Sequence, residues 1–351
     1  MVNSTNNSSG KSWLSPPADV EPALRIRNQI ILPIFITFGV IANTFTFYVV
    51  TRPKPRTLYF NLYIQVMSLL DLLGFIMRLP IAFDDEYCGY SQYSMAFYMT
   101  HFGWLIINML RGINSYVLVF LSLDRFIGIW WPDTFRNMKD SKIGTILLIL
   151  TSVLVFFTTY IPWTTRFLKV SPDEQQWFMN WKNPDQPKSM AFRFFRHYST
   201  LIITVLPSIL IAGLNIGIVI GFFKKNIYGK ESIGSSKQTA KTQRFYHTIA
   251  VLLLNASYAI CCFPYAVVSI YIETGTCYSK STYGEVTMLY LLESLSSLWS
   301  ILNMLIFFLL TKEYISELKK MFKTLPLFKN YITESTQASH YINDSVLNCD
   351  P

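Results

Sequence analysis

Charge is scarce in this chain: Asp, Glu, Lys and Arg make up 15% of its 351 residues, where a water-soluble domain carries about 25%. Hydrophobic residues reach 51%, aromatics 16%, and mean hydropathy is +0.31. Lipid rather than water is therefore the expected solvent for much of the surface. Catalytic signatures are missing as well. There are four His and five Cys, but no metal-spaced His/Cys/Glu set, no glycine-rich phosphate loop and no nucleophile elbow, so neither an enzyme nor a metal protein is expected. No apolar leader precedes the first long hydrophobic run, because Met1 to Glu21 is polar and rich in Asn, Ser and Pro. The first span is then expected to act as the insertion signal. The formal net charge of +9 comes from basic residues in short segments between apolar runs, which fits membrane topology and gives no reason to expect nucleic acid.

The apolar runs are seven, at about 29–51, 59–83, 95–127, 143–163, 195–223, 245–272 and 284–310. At about 1.5 Å rise per residue, roughly 20 residues cross a hydrocarbon layer of about 30 Å, so each run reads as a helix. Short alternating strands of a membrane barrel would look different. An all-α membrane protein follows, with a seven-helix bundle over 29–310. Residues 1–28 form a polar amino-terminal segment with overlapping glycosylation sequons at Asn3, Asn6 and Asn7. Arg52, Lys54 and Arg56 follow the first span, and Arg136, Lys139 and Lys142 follow the third. A further basic run, Lys224 to Arg244, lies between the fifth and sixth. The connection after the second span instead holds Asp84, Asp85 and Glu86. This bias puts the amino terminus outside and the carboxyl terminus in the cytoplasm.

Beyond the last span, Tyr314, Leu318 and Phe322 recur every four residues. That spacing predicts an amphipathic surface helix over 311–323 lying on the lipid bilayer. The tail 324–351 is polar. Thr333, Ser335, Thr336, Ser339 and Ser345 are candidate phosphorylation sites, and a solvated tail without that role reads equally well.

Polar groups inside the spans are costly and so mark function. Asn43, Asp71, Asn114 and Asn303 lie in the first, second, third and seventh spans, where they can converge on one buried cluster. Asn114 and Arg125 are eleven residues apart, about three turns, and share a face that runs to the inner rim. Asp124, Arg125 and Phe126 close the third span where basic residues begin to accumulate.

Taken in order, Gly39-Val40-Ile41-Ala42-Asn43, Ser68-Leu69-Leu70-Asp71, Asp124-Arg125-Phe126, Leu206-Pro207, Cys261-Cys262-Phe263-Pro264 and Asn303-Met304-Leu305-Ile306-Phe307 resemble the motifs of rhodopsin-like G-protein-coupled receptors. The resemblance covers about 29–322 and points to a neuropeptide receptor of invertebrate type. It implies that helix six pivots near Pro264 and that Arg125, released from Asp124, meets a heterotrimeric G protein. Arrestin and receptor kinases are further partners it implies. A sodium ion beside Asp71 is the one cofactor it allows. The chain departs from the family pattern at Phe126, Cys262, Met304 and Phe307, which stand where the family usually has tyrosine, tryptophan, proline and tyrosine. Arg244 occurs where some relatives carry an acid that pairs with the arginine, so Asp124 is the expected partner of Arg125.

Most family members join the outer end of span three to the next outer loop by a disulfide, and here Thr100 stands at about the first of those positions. No cysteine lies between Trp163 and Phe195. Cys88 and Cys277 are the two cysteines expected outside, and a replacement bridge between them stands beside the reading of two free thiols.

Arg78, Arg111 and Glu293 are charges in the outer halves of spans two, three and seven. Together they suggest a water-accessible cavity. Two readings stand: Glu293 pairs with an arginine to hold the helices, or one arginine is left for a carboxylate or amide carbonyl of a ligand. Tyr265, Asn108, Ile107 and His197 are further candidates for this pocket. Ile107 stands where amine receptors carry aspartate, and Ser297 where opsins carry the retinal lysine, so neither ligand class is expected. The long aromatic segment from Thr164 to Arg193, with Trp177, Phe178 and Trp181, suits a peptide lid. A receptor for a lipid or small organic acid is the alternative within the class. A transporter or channel is the rival from another class, although no matching halves are apparent.

Overall fold

The computed structural model describes residues 26–51, 58–83, 92–138, 143–163, 166–170, 177–181, 198–228, 235–274 and 283–310. Long helices dominate: α1 Arg27–Thr51, α2 Leu58–Phe83, α3 Tyr93–Trp130 and α4 Ile143–Trp163. They are followed by α5, which opens as the turn Leu201–Val205 and continues as Leu206–Tyr228, then α6 Ser235–Thr274 and α7 Tyr283–Leu310. A short helix, Pro132–Met138, follows α3. Between α4 and α5, strands β1 Arg166–Val170 and β2 Trp177–Trp181 pair antiparallel, with Arg166 opposite Trp181. This hairpin adds a small sheet to the all-helical bundle, in the segment expected to be a lid.

Five stretches, in α1, α2, α3, α5 and α6, are long and apolar enough to cross a membrane. The apolar parts of α4 and α7, Thr145–Tyr160 and Leu291–Phe307, are shorter, although the helices themselves run 21 and 28 residues. At about 1.5 Å per residue, both reach across a layer of about 30 Å.

Packing runs inside out compared with a soluble protein. Ile41 on α1, Ile149 on α4, Ile216 on α5 and Ile260 on α6 face outward, whereas Asn43, Asp71, Asn114, Asn255 and Asn303 are buried. Lipid makes no demand that apolar groups hide, but backbone and side-chain polar groups must find partners inside. The helices close a ring in which α1 packs on α2 and α7, and α6 on α7. α3 runs through the middle against α2, α4 and α5. Val117, Leu118 and Leu121 of α3 form the centre of the inner core with Met67, Ile211, Leu254 and Phe307.

Two prolines leave their mark on the backbone. Within the turn Leu201–Val205 the hydrogen bonds reach five residues back, as Leu206 N–H to the Leu201 carbonyl shows. In that register the Ile202 carbonyl would wait for Pro207, which has no N–H. The Tyr116 hydroxyl of α3 donates to it at 2.8 Å, so a helix defect becomes a tie between α3 and α5. The same register occurs at Arg27–Ile31, just before Pro33.

Glycines set the closest helix approach. A Cβ at Gly39 of α1 would fall on the Phe75 ring of α2, and that ring is fully enclosed. Gly39→Val is expected to cost about 1–3 kcal/mol through overpacking, read as a lowered melting temperature of the purified protein in detergent. An unchanged melting temperature would contradict this packing.

Candidate functional site

The half of the bundle that holds the start of α1 is organised around Glu293 on α7. Its Oε2 accepts from Arg27 Nη2 at 2.9 Å, and its Oε1 lies 3.6 Å from Arg111 Nη2. The second distance is an ion pair but too long for a good hydrogen bond. Arg27 also donates to Asn28 Oδ1 at 3.0 Å and to Ser294 Oγ at 3.4 Å. Arg27 and Asn28 are therefore buried members of α1, not part of a polar segment ending at residue 28. That expected boundary is corrected because an arginine with a buried carboxylate partner can enter the helix bundle. Nothing in the local sequence signals the partner, since it lies 266 positions away.

Arg111 rests over the Tyr265 ring at 5.0 Å, a cation–π contact between α3 and α6. Arg78 on α2 donates through Nη1 to the Gly74 carbonyl of its own helix at 3.3 Å. A narrow cavity runs beside these groups. Its walls include Arg78, Ile107, Arg111, Thr204 and Tyr265, and it descends past Cys262 and Trp299 to Asp71. The α3 wall is Ile107, Leu110, Arg111 and Asn114, which share one face at spacings of three and four. Asn108 is turned about 100° away from that face and does not line the cavity, so its expected place there is corrected. His197 lies outside the described residues, as do Cys88, Cys277, Asn3, Asn6, Asn7 and the segments 311–323 and 324–351.

At the cavity floor one oxygen of Asp71 gathers two helices. Asn114 Nδ2 of α3 and Ser300 Oγ of α7 each donate to Oδ1 at 2.7 Å. Asn303 lies within electrostatic reach of the same carboxylate, though its amide makes no well-formed hydrogen bond. Asn43 is buried but donates to the Gly39 carbonyl of its own helix at 2.9 Å. Its expected convergence on Asp71 is therefore not a hydrogen bond to that carboxylate. Tyr258 of α6 packs edge-on against Trp299 of α7, with ring centroids 5.1 Å apart. Both line the cavity together with Cys262, so aromatic bulk reaches this level from Tyr258 and α7. Pro264 lies within α6, and Phe307 is buried in the inner core.

Toward the other end, a polar knot joins α3, α5 and α6. Asn255 is fully buried; it exchanges hydrogen bonds with Ser122 at 2.9 and 3.1 Å and donates to Asn215 Oδ1 at 2.5 Å. About one turn further, Arg125 pairs with Asp124 at 3.1 Å. His247 of α6 lies within electrostatic reach of Arg125. Phe126 packs on Gly217 of α5, where a Cβ would meet its ring. Trp130 Nε1 donates to the Gly217 carbonyl at 3.0 Å. The Asn255 knot was not anticipated from the sequence, although two asparagines and a serine at comparable depth in three spans were the available signal.

The profile of the 7 transmembrane receptor (rhodopsin family) matches residues 42–307. A probable G-protein coupled receptor of Caenorhabditis elegans is 27% identical over 56% of this chain and 46% of its own length. A second from the same organism is 24% identical over 71% of this chain and 64% of its own. The alpha-1A adrenergic receptor of Rattus norvegicus is 28% identical over 43% of this chain and 32% of its own length. The chain thus spans about half to just under two thirds of the length of the two nematode relatives.

Removing the Arg27 guanidinium leaves Glu293, among the described residues, with its longer ion pair to Arg111. Arg27→Ala is expected to destabilise the protein by about 1–3 kcal/mol, and Glu293→Gln to lose a comparable amount. The check is thermal unfolding of both single variants and the double variant. Strict additivity would contradict the contact.

Proposed function

The chain belongs to the rhodopsin family of seven-transmembrane receptors, and from that premise we propose that it binds an extracellular neuropeptide in the outer cavity and activates a heterotrimeric G protein. It is a receptor and not an enzyme. The observation that carries the ligand reading is the cavity bounded by Arg78, Arg111 and Tyr265 with Asp71 at its floor. A buried guanidinium facing open space offers paired donors to a carboxylate or an amide carbonyl. Ile107 in the same wall is fully buried and carries no charge, so this cavity has no counter-ion for an ammonium at that point. The likeness to an adrenergic receptor therefore does not extend to a ligand here. A small organic acid is the second reading, favoured by the narrowness of the cavity and its arginines.

Ligand that binds one arrangement of the bundle better shifts the population toward it. The Asn255 knot and the Trp130–Gly217 bond hold α3 to α5 and α6 close to the Asp124–Arg125 pair. Movement of α6 about Pro264 must break the knot, freeing Arg125 for the G protein. Plasma-membrane location with the amino terminus outside belongs to the same proposal, as does recruitment of arrestin and receptor kinases by the tail. Asp71 Oδ2 and Asn114 Oδ1 have no hydrogen-bond donor, which suits a sodium ion beside Asp71. The charge of Arg78 reaches the same carboxylate and competes with it.

The test is a screen of peptide and metabolite libraries against the receptor reconstituted with G protein, read by nucleotide exchange. A peptide agonist is expected, with Arg111→Ala lowering its potency about 10- to 100-fold, the worth of a charge-assisted hydrogen bond, at unchanged surface expression. Unchanged potency would remove Arg111 from the site. Substrate flux in proteoliposomes without G protein would instead favour a transporter.

A further inference from the structure

Among the described residues, the outer layer of the bundle carries more positive than negative charge. Arg27, Arg78 and Arg111 enter it from α1, α2 and α3, and Glu293 faces them from α7. Glu293 commits its shorter contact to Arg27. Arg111 holds the 3.6 Å pair and a contact with Tyr265 that combines the ring face and a side-chain hydrogen bond, while its Nη2 makes no hydrogen bond. Arg78 is nine-tenths buried and has no salt-bridge partner among the described residues; its Nε makes no hydrogen bond. Arg78 feels the like charge of Arg111 as well as the opposite charges of Glu293 and Asp71. Both guanidiniums line the same cavity. With Asp71 ionised, three arginines face two carboxylates among the described residues, an excess of one positive charge there.

We propose that Arg78 and Arg111 together form a site for one singly charged anion, held in the cavity between α2 and α3. This deepens the receptor reading: the cavity takes an anionic group, not the amide carbonyl that a single spare arginine would accept equally well. Two like charges close together away from water repel strongly, because low dielectric magnifies the interaction. A carboxylate between them turns that repulsion into two charge-assisted contacts, and guanidinium forks suit its paired oxygens. Chloride satisfies the same charge without the paired geometry. The anion then comes from one of two sources, the carboxylate of an agonist or a free halide. Thr204 borders the cavity and supplies a hydroxyl that can complete the shell.

The site can be tested without knowing the agonist. Full-length receptor, purified in detergent at low salt, is unfolded thermally while sodium acetate, sodium chloride or neutral acetamide is titrated in. Acetate is expected to raise the melting temperature saturably by about 2–4 °C, while neutral acetamide leaves it unchanged. A rise with acetate alone assigns the site to a ligand carboxylate, and an equal rise with chloride assigns it to a free ion. Arg78→Gln should abolish the rise and, by removing the repulsion, melt no lower than wild type in the absence of anion. Should that variant fail to fold, Arg111→Gln gives the same readout. No anion-specific rise in wild type, or one that persists in the folded variant, overturns the proposal. Nucleotide exchange plays no part in this measurement, so its failure leaves the receptor reading standing, and a receptor without exchange activity would leave the anion site standing.

Discussion

One acceptor atom does more than any other to fix this bundle. Asp71 Oδ1 takes a hydrogen bond from α3 through Asn114 and another from α7 through Ser300, so three helices are referenced to a single point. In lipid, where apolar contact with a neighbouring helix differs little from contact with acyl chains, such polar ties supply much of the specificity of packing. The cavity lies above that point, and below it Val117, Leu118, Leu121 and Phe307 pack into the core. The seam then resumes at Asn255 and ends at Asp124 and Arg125.

Above Asp71 the same constraint acts through charge. Glu293 could hold α7 to either arginine, and the geometry divides it between Arg27 and Arg111 in favour of the former. That division ties α1 to α7, closing the ring near the start of α1 as the α1–α2 and α6–α7 contacts close it along the sides. It also leaves Arg78 and Arg111 facing the cavity.

Seven helices were legible in the sequence because a row of about 20 apolar residues is suited to crossing a bilayer and to little else. The meeting of Asp71 with Asn114 was legible for a related reason: two polar groups at equal depth in lipid have few other partners. Less could be read where the signal is long-range. Arg27 looks like the end of a polar segment until Glu293, far along the chain, is seen to hold it. Asn108 carries a polar amide that suits a cavity, yet the turn of the helix takes it off the lining face. The hairpin Arg166–Val170 with Trp177–Trp181 lies in a segment whose length and mixed composition do not specify pairing. Tyr116 meets the Ile202 carbonyl only because the backbone ahead of Pro207 adopts the wider register, and that register has no mark in the sequence beyond the proline itself.

The bundle has a single reference point only if Asn114 and Ser300 share the Asp71 carboxylate. A double-mutant cycle on thermal unfolding of Asn114→Ala and Ser300→Ala decides it. Donors to one oxygen should show a coupling of about 0.5 kcal/mol or more, and that coupling should vanish in an Asp71→Asn background. Additive losses within about 0.3 kcal/mol, or a coupling indifferent to Asp71, would contradict it.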